Sequence, residues 1–125
     1  MPVNQFYFDI GKVAYHDYEG FALDHSERER LVRDLGDCKA MILRNHGTFS
    51  VGNTVADAFT SIYYLEKTCE VQIDAMGMGR ELVLPSQETC EKAESQISKF
   101  GDCEKTMWPA LLRLLERNGI RKHLE

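Results

Sequence analysis

The chain has 125 residues, 43% of them hydrophobic and 28% charged, which suits one soluble globular domain with a modest core. Its formal charge of -5 and pI near 5.4 argue against a nucleic-acid partner, because bases alternate with acids, as in Glu27-Arg28-Glu29-Arg30, instead of clustering. The apolar runs are too short to span a bilayer, and Met1-Pro2-Val3-Asn4-Gln5 has neither the basic start nor the apolar stretch of a secretory signal, so a cytoplasmic address is expected.

Lys12 to Tyr18 has an extended pattern that Gly20 breaks, and predicts a short strand. Ser26 followed by Glu29 has the spacing of a capping box; Leu31, Val32 and Leu35 supply the apolar side of a short helix that Gly36 ends. Ala40 to Leu43 reads as a buried strand, and Thr48 to Val51 as its antiparallel neighbour across a tight Asn45-His46-Gly47 connection. Asn45 and Gly47 are turn formers, since both tolerate a left-handed backbone.

Thr54 caps a long helix running to about Met76, because Ala58, Ile62, Leu65, Cys69 and Ile73, with Val55 and Phe59 beside them, recur at helical spacing. Gly77 and Gly79 close it. Glu81 to Leu84 reads as extended, and Pro85-Ser86 opens another helix with Ser86 as cap. Trp108, Leu111, Leu112, Leu114 and Leu115 mark an amphipathic last helix, with Pro109 tolerable only in its first turn and Gly119 as its end.

His46 is the residue to explain. It stands at a strand end, where a loop holds a side chain firmly and leaves it accessible, the usual setting of a metal ligand or catalytic base. A turn histidine bonded locally is the other reading. His16 and Asp17 point to opposite faces of a strand, cannot chelate jointly, and read as interface or structural residues. His25 and His123 read as solvated, and Glu66 and Glu70 as a solvated or salt-bridged helix face. Cys38, Cys69, Cys90 and Cys103 contain no C-x-x-C pair and read as reduced, buried thiols. Met76-Gly77-Met78-Gly79-Arg80 follows a helix instead of opening one, so it is a helix stop and no phosphate loop.

Val13-Ala14-Tyr15-His16-Asp17-Tyr18-Glu19-Gly20, then Leu43-Arg44-Asn45-His46-Gly47 with Val51-Gly52 and Ala58-Phe59, continuing through Leu65 to Gln72, resemble the class II aldolase/adducin head family, in its adducin-like branch. The resemblance implies a three-layer α/β/α fold with a mixed or antiparallel sheet and flanking helices, and ring-like homo-oligomers. In the aldolase branch it implies zinc, held by two histidines of an H-x-H segment and a third in the N-H-G loop, with a glutamate as acid/base. Such enzymes cleave or epimerise small sugar phosphates through an enediolate.

Only His46 matches those ligands here; no H-x-H occurs, and residues 1–125 are expected to be a single partial domain, the C-terminal part of the family fold. No catalytic residue is assigned. The alternative to a lyase is a non-catalytic, adducin-like module for oligomerisation and protein contacts.

Overall fold

The computed structural model describes residues 10–21, 26–100 and 103–119. His25 and His123 lie outside them. Three short strands form one mixed sheet in the order β1 (Val13–His16), β2 (Ala40–Leu43), β3 (Gly47–Ser50). β1 runs parallel to β2, with Val13 opposite Ala40 and His16 opposite Leu43. β3 returns antiparallel, with Leu43 opposite Gly47. A parallel pair needs a crossover, and α1 (Glu27–Leu35) lies in the connection from β1 to β2. Three more helices follow: α2 (Val55–Gly77), α3 (Gln87–Phe100) and α4 (Cys103–Arg117).

Strand alternation divides the sheet's two faces. Val13 and Ile42 pack against a cluster of Ile10, Ala40 and Leu65, the last from α2. Ala14 and His16, one residue out of phase with Val13, are buried on the other face, where His16 meets Asp34 of α1. Helices therefore cover both faces, the α/β/α layering the family resemblance implies.

α2 begins as its sequence says it should. Thr54 is extended, and its hydroxyl accepts a bond from the Asp57 backbone N–H at 3.0 Å. Its buried face is a different matter: Ala56, Ser61, Leu65 and Thr68 are buried, while Val55 and Ile73 are 76% and 69% exposed. The buried stripe includes two hydroxyl residues, which hydrophobic periodicity does not count. Tyr64 packs against the core and Tyr63 is exposed, as an inward and an outward neighbour.

Four local expectations need correction. Ser26 precedes α1 with helical torsions (φ -68°, ψ -22°) and makes no side-chain cap bond, so the capping box does not form; its Oγ instead accepts from Arg30 Nη1 at 2.9 Å. Val32 is exposed, leaving Leu31 and Leu35 as the half-buried apolar side of α1. Glu81–Leu84 forms no strand, and Val83 is almost wholly exposed. Pro109 lies inside α4, at its seventh position, instead of in the first turn. A proline there removes one backbone bond; the neighbouring Trp108 sets its ring edge-on to Phe59 of α2 at 5.7 Å, an anchor that holds the two helices together across that gap.

Ser86 caps α3, its Oγ accepting from the Thr89 N–H at 3.2 Å. Gly36 and Gly119 end α1 and α4 with positive φ of 52° and 73°. Among the described residues no helix is long and apolar enough to cross a membrane.

Candidate functional site

The C-terminal ends of β1 and β2 lie side by side, so the residues that follow them share one rim of the sheet. Asn45 sits in the left-handed region at φ 56°, which a short polar side chain tolerates. The His46 N–H donates to the Leu43 carbonyl at 3.1 Å, closing the turn. Gly47 opens β3 without a positive φ, so Asn45 alone takes the left-handed position expected of both. Arg44 ties this turn to β1: its N–H donates to the His16 carbonyl at 2.9 Å, and its guanidinium pairs with Asp17 at 3.0 Å and lies over the Tyr15 ring.

His46 is exposed and faces Tyr18 edge-on, ring centroids 6.4 Å apart. Both line a small cavity of about 80 Å³, with His16, Glu19, Glu27 and Arg44 also in its wall. The strand geometry separates His16 from Asp17 as expected, one buried and one on the surface. His16 is not isolated, however. Its Nδ1 lies 2.8 Å from Asp34 Oδ2, and its Nε2 lies 3.8 Å from Oε1 of both Glu19 and Glu27. The His16 bond, with help from Arg33, holds the Asp34 carboxyl below its ordinary range.

This grouping has a weak trace in the sequence. Tyr15-His16-Asp17-Tyr18-Glu19 shows the polar cluster, but Glu27 and Asp34 come from another element, and only the packing of α1 beside β1 brings them in.

A larger cavity of about 220 Å³ lies on the sheet's other face, lined by Val13, Tyr15, Ile42 and Cys69 among others. It gathers no acids or imidazoles, whereas the rim cavity is lined by two histidines and several acids. Cys38, Cys69 and Cys90 are free and half-buried. Burial, then the nearby Glu66 charge, pushes the Cys69 thiol up from its usual range, away from the reactive thiolate. Glu66 accepts a bond from the Thr48 hydroxyl, and Glu70 pairs with Lys67 at 2.6 Å, so this face is tied by polar contacts as expected.

Fold, turn and rim together define a class of α/β protein with an accessible imidazole at a hairpin tip. The family model for the Class II Aldolase and Adducin N-terminal domain matches residues 1–73. The chain belongs to that family. It is 44% identical over 112 residues to a Caulobacter vibrioides protein named "Putative aldolase class 2 protein", covering 88% of this chain and 44% of that one. It is 33% identical over 135 residues to human beta-adducin, covering 97% of this chain and 19% of that one. A crystal structure of an aldolase II superfamily protein from Pseudomonas syringae superposes with a TM-score of 0.84 at 47% identity, over 95% of this chain and 49% of that one. The chain thus spans less than half the length of these curated relatives.

The zinc site that the resemblance implies takes three imidazoles, and this sequence offers His46 for one of them. One imidazole does not make an open catalytic zinc site, which needs about three protein ligands. His46 by itself does not fit that three-imidazole centre.

Proposed function

We propose that these residues are one part of a class II aldolase/adducin-type domain, and that their chemical contribution is His46, one imidazole of a zinc site completed by ligands outside this chain. The observation that carries this reading is the hairpin tip: Asn45 and the Leu43 carbonyl fix the backbone around an exposed ring. The complete site would serve a cytoplasmic aldolase or epimerase acting on a small sugar phosphate, where zinc stabilises developing negative charge on oxygen.

The test is zinc content after mild chelator treatment of the protein isolated from its own cells, where any completing segment is present, beside a His46→Ala variant. The variant is expected to lose one zinc equivalent and aldol cleavage of ketose phosphates together. Unchanged zinc content would overturn the assignment of His46.

A second reading, a non-catalytic adducin-like module, is favoured by the surface. Phe21, Val55, Ile73 and Val83 are between 69% and 96% exposed, and among the described residues β1 and β3 are both sheet edges. Unpaired edges and exposed apolar side chains favour association with another chain. The purified 125-residue chain is expected to self-associate, with a light-scattering mass above that of one copy; a stable monomer across dilution would count against this reading.

A further inference from the structure

We propose that His16, Glu19 and Glu27 form a binding site for a divalent transition-metal ion of the zinc class, separate from the role given to His46. The His16 side chain is only 4% exposed, and its Nε2 is buried without a hydrogen-bond partner. Buried polar atoms are almost always satisfied, so an orphaned imidazole nitrogen needs an explanation.

Its surroundings supply one. With Asp34 accepting from Nδ1–H at 2.8 Å, the ring is fixed in orientation, and Nε2, directed away from Asp34, is the nitrogen left to face an ion. A carboxylate behind a histidine in this way is the usual outer support of a metal-ligating imidazole.

The two glutamates complete a donor set. Each places Oε1 3.8 Å from Nε2, and the three donor atoms all lie within 4.8 Å of one another. That separation is too long for a hydrogen bond. Around an ion with bonds of about 2.0–2.2 Å, tetrahedral donors sit about 3.3–3.6 Å apart, so small side-chain movements close the shell. Glu27 is held by the first turn of α1 and is 16% exposed. Glu19 is gripped by Arg30, whose Nε donates to its two oxygens at 2.8 and 2.9 Å. This grip orients the carboxylate and offsets part of the negative charge.

One imidazole and two carboxylates suit zinc or a neighbouring first-row dication. Three protein donors leave a fourth position open, and the cavity lined by Tyr18 and His46 lies beside it. The site needs no ligand from elsewhere, so it stands whether or not His46 belongs to a family-type centre.

The experiment is a titration of the intact chain with Zn²⁺ in competition with a chromophoric chelator, and with Co²⁺ followed by visible absorption. One equivalent is expected, with Co²⁺ giving ligand-field bands and no thiolate charge-transfer band. Glu27→Gln, conservative and partly exposed, is expected to weaken binding at least tenfold. Asp34→Asn is expected to weaken it about tenfold through His16. His46→Ala is expected to leave it unchanged. No binding, binding that survives Glu27→Gln, or binding lost only in His46→Ala would overturn the site; the last would also leave the His46 reading standing alone.

Discussion

Leu65→Ala is expected to lower the stability of the chain by about 2–5 kcal/mol, the range for deleting a fully buried leucine. Leu65 is 1% exposed and joins Ile10 and Ala40 at the centre of the cluster between α2 and the sheet. Truncation removes the methyl groups and leaves a cavity that Val13, Ile42 and Tyr64 cannot refill without moving backbone. Six hydrophobic residues are buried among those described, so little else compensates. For a domain whose total stability is about 5–15 kcal/mol, such a loss is a large fraction of the whole. Urea unfolding followed by circular dichroism reads it as a fall in midpoint. Ile73→Ala on the same helix, at a residue 69% exposed, is expected to stay within about 0.5 kcal/mol. Equal losses at both positions would mean that the outer face of α2 is as covered as the inner one, and the picture of a single packed face would fail.

The contrast between those two leucine-like positions shows where sequence reading succeeds and where it stops. The existence, length and start of α2 are legible because they depend on local physics: Thr54 has a hydroxyl where a cap is needed, and apolar residues recur every three or four positions after it. The rotation of α2 about its axis is not local. It is decided by which residues turn inward, and those include Ser61 and Thr68, whose burial no hydrophobic pattern announces. Pro109 is the same lesson in reverse, since its local preference for a first turn yields to the tertiary contact made by Trp108. Ser26 fails as a cap because the backbone before α1 is already helical, a torsion that residue spacing does not encode.

The site divides along the same line. The hairpin tip is legible, for β2, the polar turn and β3 are contiguous in sequence. The pairing of His16 with carboxylates is not, because Glu27 and Asp34 arrive through an α1 crossover whose placement depends on the parallel register of β1 and β2. Strand alternation does foretell that His16 and Asp17 part company. What it leaves open is which of the two turns inward, and the inward imidazole gains three acidic neighbours while Asp17 pairs with Arg44 at the surface.

Gly52→Val is the second large effect expected, and it arises at a residue whose sequence context shows only a motif glycine. A side-chain carbon at Gly52 would lie 2.5 Å from the Ala58 backbone nitrogen and 2.9 Å from the Asp57 carbonyl carbon and Cβ. These atoms belong to the first turn of α2 and have little freedom to yield. Ser50 Oγ donates to the Ala58 carbonyl at 2.8 Å, the Asn53 N–H donates to Asp57 at 3.1 Å, and Lys39 bonds the same carboxylate at 3.2 Å. Relief of the clash therefore means lifting α2 from β3 and breaking some of these bonds. The expected loss is about 1–3 kcal/mol, typical of overpacking against a fixed neighbour, with Gly52→Ala falling short of the valine. Gly77→Ala is the matched comparison: an added carbon there meets nothing within 4 Å, and φ is not positive, so its stability is expected to stay level or rise slightly. Thermal unfolding of the three variants orders them by contact; a Gly52→Val protein as stable as the parent would show that the β3–α2 junction is looser than these distances require.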